Sequence, residues 1–177
     1  LVVSLGMVAV LIPATLFGEY DDFHLDTAHV VGALVGKFVR AVREGFPTVE
    51  IWGDGSQVRD FLYVKDFVTA LLDVARKLHR EVLNLAPGRG TSIATLAAAI
   101  ADAAGFTGRV VYNADRYVGA KEKYLDGTRL ARKYHVQLEA DVSAGLRRTV
   151  EWYAANFAEL KDLPKVGRPP APPPRPR

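Results

Sequence analysis

Trp52-Gly53-Asp54-Gly55-Ser56-Gln57-Val58-Arg59-Asp60-Phe61-Leu62-Tyr63-Val64-Lys65-Asp66 joins two β-rich runs through a turn that holds two glycines. The first run, Val49 to Trp52, enters the turn; the second, Asp60 to Val64, leaves it. Gly53 and Gly55 can take positive φ without steric cost, so the pattern predicts a hairpin-like reversal over residues 49–64 that returns Arg59 toward Trp52. A planar cation beside a flat aromatic suits a ligand with a phosphate at one end and a ring at the other. The same residues also describe a plain hairpin with a surface arginine and a core tryptophan. Local chemistry alone favours that plainer reading.

Working outward, Val8–Ile12 is a β-branched run ended by Pro13 and reads as a buried strand, with Pro13–Thr27 a long loop. Thr27 to Glu44 reads as an amphipathic helix whose apolar stripe is Val30, Val31, Leu34, Val35, Phe38, Val39 and Val42. Thr27 or Asp26 can cap it, and Gly45-Phe46-Pro47 ends it. Beyond the central stretch come a helix over Asp66–Leu78, with Phe67, Leu71, Val74, Ala75 and Leu78 inward, and a short strand over Val82–Ala86. Pro87–Ser92 then leads into an alanine-rich helix over residues 93–104, and Arg109–Tyr112 is a further strand. Ala140 to Phe157 contains a last helix capped by Asp141 or Ser143. Alternating strands and helices make an α/β fold.

Two glycine-rich turns invite comparison with dinucleotide loops. Gly53-x-Gly55-x-x-Val58 leads into a strand, so it lacks the helix N-terminus that holds a pyrophosphate. Gly88-x-Gly90-x-x-Ile93 sits between strand and helix but lacks the third glycine, and no carboxylate closes a second strand beyond it. Both read as ordinary turns, and the chain carries no dinucleotide fingerprint.

At 177 residues the chain has room for one ordinary domain with a real core. Its apolar fraction of 49% and charged fraction of 24% are those of a soluble globular protein. Without cysteine there is no disulfide, thiolate nucleophile or cysteine zinc ligand, which fits a cytoplasmic setting, and no metal site is read. Four of the 23 basic residues (Lys165, Arg168, Arg175, Arg177) lie in Pro164–Arg177, which has no acid; this leaves 19 basic residues against 20 acidic ones in residues 1–163. The net charge of +3 therefore belongs to the tail, and no basic face for nucleic acid is visible. That tail holds seven of the ten prolines and reads as disordered or polyproline-like, either a solvated extension or a ligand for an aromatic-lined partner. The apolar first 18 residues have no basic region before them and are broken by Gly6 and Pro13, so neither a membrane span nor a signal is read there. Because the chain begins at Leu1 rather than Met, it is expected to be a piece of a longer protein.

Five segments stand in order between residues 8 and 157: Pro13-Ala14-Thr15-Leu16-Phe17-Gly18, Gly53-x-Gly55-x-x-x-Arg59-Asp60-Phe61-x-Tyr63-Val64-x-Asp66, Asn84-Leu85-Ala86-Pro87-Gly88, Lys123-Tyr124-Leu125-Asp126, and Gly145-Leu146-Arg147-Arg148-Thr149-Val150-Glu151-Trp152-Tyr153. Together they resemble the NAD-dependent epimerase/dehydratase family, the extended short-chain dehydrogenases/reductases that act on nucleotide sugars. Asp22-Phe23-His24-Leu25-Asp26-x-x-His29 and the helix after it are most similar to the GDP-L-fucose synthase branch. The Arg59-to-Asp66 segment is closer to the generic epimerase pattern.

The resemblance implies the C-terminal part of a Rossmann-type enzyme over residues 1–163: a few strands of an incomplete sheet and the small α/β substrate-binding domain, followed by the tail 164–177. It also implies epimerisation of a 4-keto-6-deoxy sugar nucleotide and reduction of its keto group, a nucleotide-diphospho-sugar as substrate, and a homodimer when full-length. His29 matches a histidine that acts as acid/base, a task for which imidazole is suited near neutrality; His29 also fits a helix N-terminal histidine that meets solvent. Lys37, Trp52, Arg59 and Lys123 match residues that meet the substrate, although Lys123 beside Lys121 and Glu122 fits a solvated charge equally well. Pro13, Ala14, Thr15 and Leu16 match the loop that passes the cofactor, NADP or NAD. The family's glycine-rich loop and Tyr-x-x-x-Lys pair should lie upstream of Leu1, so the cofactor would be held mainly by an N-terminal half outside this sequence. Tyr117-Val118-Gly119-Ala120-Lys121 has that spacing but stands beyond the last predicted strand. Departures fall at Thr15, Phe17, Gly32 and Lys37, where the family usually has asparagine, tyrosine, proline and arginine. They favour a second reading, a degenerate module that binds a nucleotide sugar or a partner without catalysis.

Overall fold

The computed structural model describes residues 9–25, 27–116 and 119–160. Val8, the alternative cap Asp26, Tyr117 and the tail 164–177 lie outside the described residues.

Parallel pairing dominates, as the α/β reading requires. Strand β1 (Val10–Pro13) pairs in parallel with β6 (Val82–Leu85), Val10 opposite Val82 and Pro13 opposite Leu85. The sequence predicts a buried strand over Val8–Ile12, yet Val10 and Ile12 face solvent, as does Val82 of the partner strand, while Leu83 and Leu85 are buried. The predicted loop after Pro13 contains a strand, β2 (Thr15–Phe17), which lies parallel to β5 (Phe61–Tyr63).

The hairpin over residues 49–64 does not form. Strand β3 (Thr48–Trp52) pairs in parallel with β8 (Arg109–Asn113), placing Trp52 opposite Asn113. Its alternation accounts for this, since Val49 and Ile51 are buried while Thr48, Glu50 and Trp52 point out. After the turn the chain enters a separate sheet, in which β4 (Val58–Arg59) lies between β7 (Thr91–Ser92) and β9 (Glu122–Lys123). Two bonds fix the departure: the Ile93 N–H donates to the Gln57 carbonyl and the Ala94 N–H to the Gly55 carbonyl, both at 2.9 Å. Gly53 and Gly55 do adopt φ of 83° and 80°. At Gly55 a Cβ would come within 2.6 Å of the Tyr112 ring, so both conformation and space require glycine there.

Helix α1 (Val30–Glu44) starts three residues later than predicted, at an N-cap occupied by His29 without a side-chain cap. Thr27 is not the cap: that position falls to His29, two residues on, and the Thr27 hydroxyl donates instead to Asp22 Oδ2 at 2.7 Å. Val31, Leu34, Val35, Phe38 and Val39 are buried, but Val42 is exposed, and left-handed Gly45 ends the helix. Helix α2 (Val64–Ala75) starts and stops earlier than predicted, and Ala75 faces solvent rather than the core. Helix α3 (Ile93–Ala104) is capped by Ser92, which accepts from the Thr95 N–H. Helix α5 (Ser143–Ala155) has Asp141 accepting from both the N–H and the hydroxyl of Ser143. Strand β9 and the short helices α4 (Thr128–Tyr134) and α6 (Phe157–Leu160) have no counterpart in the sequence reading.

Helices α1, α3 and α5 bury the main core together with β3, around Val35, Phe38, Ile51, Ile100, Leu146 and Val150. A second core joins α2, β6 and α4 through Val74, Leu83, Leu85, Leu130 and Tyr134. Ala14, Leu62 and Ala86 form a small third cluster where β1 ends.

Candidate functional site

One face of α1, the end of β3 and the start of α3 enclose a cleft of about 210 Å³. Val30, Ala33, Leu34, Ile51 and Ile93 make its apolar walls; Lys37, Trp52, Gln57 and Arg59 supply the remainder. Lys37 reaches it from α1, where positions 30, 33, 34 and 37 share one face. Trp52 reaches it because it is the outward-pointing last residue of β3, and its indole is 48% exposed. Arg59 arrives through the turn and β4. The cation and the aromatic thus share one cleft, as the opening stretch suggested, though by a route other than a hairpin.

The charged groups are held in place. Lys37 Nζ donates to the Glu50 carbonyl at 2.8 Å and lies 5.4 Å from the Trp52 ring centroid. Burial pushes the Lys37 ammonium below its ordinary pKa; the Glu50 charge opposes this and the Arg116 charge adds to it. Arg116 stands 5.3 Å from the same indole. The Arg59 guanidinium donates to the carbonyls of Val58 at 2.7 Å and Ala120 at 2.6 Å, which fixes its plane. Gln57, only 8% exposed, donates through Nε2 to Asp54 Oδ1 at 2.8 Å. The Asp54 carboxylate also accepts from the hydroxyl and N–H of Ser56, and these bonds hold it below the usual carboxylate range. An apolar slot with cations at one side suits a flat ring that carries an anionic group.

Other predicted residues stand around this cleft rather than in it. His29 is exposed and precedes Val30, the first lining residue of α1. Lys123 is exposed on β9 and pairs in register with Arg59, one strand away. Pro13 ends β1, and Thr15 and Leu16 belong to β2. Buried Asp60 links the two regions: its carbonyl accepts from the Thr15 N–H at 3.3 Å and its Oδ2 from the Leu125 N–H at 2.9 Å.

Residues Pro13–Leu16 fit one flank of a dinucleotide and no more. They lie at the carboxyl end of the parallel pair β1–β6, where α/β sheets receive cofactors. The Thr15 hydroxyl has no partner among the described residues and can donate there. Ala14, however, is buried, and the Ala14 and Thr15 N–H groups already donate to Leu85 and Asp60. No cradle for a pyrophosphate appears among the described residues, nor any group of acidic and histidine side chains placed to hold a metal.

Comparison with known proteins settles the family. A profile of the NAD dependent epimerase/dehydratase family matches residues 6–86. GDP-L-fucose synthase of Escherichia coli (strain K12) is 35% identical over 158 residues, which are 82% of this chain and 48% of the relative. The chain belongs to the NAD-dependent epimerase/dehydratase family. GDP-L-colitose synthase of Yersinia pseudotuberculosis is 30% identical over 145 residues, 80% of this chain and 46% of the relative. Among solved structures, the GDP-L-fucose synthetase of Naegleria fowleri bound to NADP superimposes with a TM-score of 0.77 at 27% identity, over 84% of this chain and 47% of that one. UDP-glucose 4-epimerase of Thermotoga maritima with UDP-glucose gives 0.71 at 30% identity, over 84% and 46%. The fold is that of Rossmann-type extended epimerases and reductases. The chain spans about half the length of the curated relatives it matches. Among the described residues no helix is long and apolar enough to cross a membrane.

Three residues of this epimerase-family site escaped the sequence reading. Gln57 and Asp60 lie inside the decisive stretch, and their burial was the missing fact. Arg116 carries no local signal, because its place over Trp52 depends on the parallel register of β3 with β8.

Proposed function

We propose that this chain is the substrate-binding portion of an NAD(P)-dependent, GDP-L-fucose synthase-like enzyme that epimerises a 4-keto-6-deoxy sugar nucleotide and reduces its keto group. The cleft of Lys37, Trp52 and Arg59 carries this reading. Trp52 offers a face to a base or sugar ring, and Lys37 and Arg59 offer charge to the diphosphate. His29, at the end of α1 beside the cleft, exchanges the proton on a carbon next to the ketone. Lys123, one strand from Arg59, meets the anionic end of the substrate. Thr15 and its neighbours Pro13, Ala14 and Leu16 border the nicotinamide, which supplies the hydride when bound. The cofactor is held mainly by the half of the enzyme that corresponds to the rest of the relatives' length. The full-length protein is a cytoplasmic homodimer.

Lys37, Trp52, Gln57 and Arg59 all belong to this chain, so its binding is tested on it directly. Titration with GDP, followed by quenching of tryptophan fluorescence in a Trp152→Phe background, should saturate. Arg59→Ala or Trp52→Leu (followed by calorimetry) should weaken GDP by about tenfold or more, the loss of roughly 1.4 kcal/mol or more of contact. Absence of GDP binding by the folded parent chain would remove this reading.

The degenerate-module alternative rests on one observation of its own. His29 is exposed and outside the cleft lining, so the binding function does not require it. Activity of a His29 variant separates the two.

A further inference from the structure

Gln57 is the one described residue with a buried side-chain polar atom lacking any hydrogen-bond partner, its Oε1. Its position is not adjustable at will. Nε2 is committed to Asp54 Oδ1, an acceptor without a proton to give, so turning the amide over would set oxygen against oxygen. Asp54 is itself anchored by both polar hydrogens of Ser56. The Gln57 main chain is fixed as well, since its carbonyl accepts from the Ile93 N–H. The oxygen therefore stays a buried acceptor on a residue that lines the cleft, beside apolar side chains, the half-exposed Trp52 and two cations.

A buried acceptor without a donor is a standing energetic cost, relieved when a ligand N–H or O–H arrives. An ionised diphosphate brings neither. A sugar brings hydroxyls, and a nucleobase with a protonated ring nitrogen or an amino group brings an N–H on the edge of a flat ring, the shape that suits the Trp52 indole in the same cleft. We infer that Gln57 reads the base of the nucleotide, its Oε1 accepting a hydrogen bond from a donor edge of the kind guanine presents, so that the cleft discriminates by base as well as by phosphate. This rests on the nucleoside-diphosphate reading of the cleft and assigns the base end of the ligand to the side of Gln57, with Lys37 and Arg59 left for the phosphates.

The test uses the 177-residue chain and three probes: GDP, purine riboside 5′-diphosphate, whose base has no N–H, and inorganic pyrophosphate. The parent chain should bind GDP about tenfold more tightly than purine riboside diphosphate, the worth of one buried hydrogen bond. Gln57→Met keeps the length of the side chain and removes the acceptor; it should bring GDP down to the purine riboside level with pyrophosphate affinity unchanged. Equal affinity of the parent chain for GDP and purine riboside diphosphate overturns the assignment whatever the variant does, so a misfolded variant cannot rescue it. Retained discrimination in a folded Gln57→Met chain overturns it too. If the parent chain binds pyrophosphate but neither nucleotide, base recognition fails while the cationic site survives. If it binds none of the three, the nucleotide reading itself fails and this inference with it.

Discussion

Gly32 stands where the family resemblance leads to an expectation of proline, and the packing gives the glycine a reason. A Cβ at Gly32 would overlap the Asp22 carbonyl oxygen, and one at Gly36 would come within 2.7 Å of the Phe23 carbonyl. The loop before α1 thus lies directly on the helix, with Asp22 holding the His24 N–H and the Thr27 hydroxyl. Such close backbone approach is legible only in three dimensions; in the sequence Gly32 was simply a missing proline. Lys37 is a departure with a functional consequence. Its ammonium, pushed down by burial, sheds its proton below the ordinary lysine value of 10.5. The charged form exists only below that depressed pKa, so attraction for a diphosphate is full at lower pH and fades as pH rises through it. GDP affinity measured by calorimetry across alkaline pH should decline before 10.5, and Lys37→Arg should flatten the decline because guanidinium keeps its charge. A flat profile in the parent chain would take Lys37 out of the anion site.

At the level of elements, two carboxylates join segments that the sequence showed only as separate. Glu19 accepts from the Tyr63 hydroxyl at 2.8 and 2.9 Å and from Lys65 Nζ at 2.8 Å, joining the end of β2 to the start of α2. Burial pushes this carboxyl up, but the bonds from Lys65, its own backbone and Tyr63 outweigh that and hold it at about 2. Glu81, before β6, accepts from Lys133 Nζ and the Tyr134 hydroxyl and pairs with Arg129 at 2.7 Å, so α4 is drawn onto that strand. Lys133 first and Tyr134 next hold Glu81 at about 2. Both folded values lie below the ordinary 4.5, so the stabilisation is whole above 4.5 and is lost as pH falls toward 2. The urea midpoint should drop across that window, and Glu81→Gln should start lower at neutral pH and drop less. An equal slope in variant and parent would exclude Glu81 as a source of acid lability. Helix α4 illustrates why such elements were not foreseen. Its seven residues carry too short a period to stand out, and Leu130 and Tyr134 identify a buried face only once β6 is beside them. The long apolar period of α1 and its glycine end were readable by contrast, and so was the alanine-rich run of α3. The expected hairpin failed for a different reason: two β-rich runs and a glycine turn say that the chain changes direction, not which strand each run will pair with. Here α3 captured the turn and β8 captured β3.

Across the whole molecule, the described residues bring nine side chains together around one cleft, whereas Pro13–Leu16 offer two short strands whose Ala14 and Thr15 N–H groups are already engaged, and the sequence holds no dinucleotide fingerprint. Five short segments in order made the family readable even though no single one was decisive, because order and spacing survive where individual contacts drift. What spacing could not convey is depth: it grouped His29 with Lys37, Trp52 and Arg59, while the fold puts three of these in the cleft and leaves His29 exposed at its edge. Binding and chemistry should therefore separate experimentally. The chain alone, supplied with NADPH and GDP-4-keto-6-deoxymannose, should bind the nucleotide and oxidise no NADPH above the blank; oxidation by the pure chain would overturn the assignment of the cofactor to the other half. In a longer form that carries a cofactor-binding half, NADPH oxidation should appear. There His29→Ala should slow deuterium uptake at the carbons flanking the ketone by about a hundredfold or more, the usual worth of a positioned acid/base group. GDP affinity in the same variant should change less than about twofold, since exposed His29 lines no part of the cleft and surface substitutions of this kind act weakly. Deuterium uptake read by mass spectrometry at the parent rate would strip His29 of its role and leave this fold with a binding site and no assigned base.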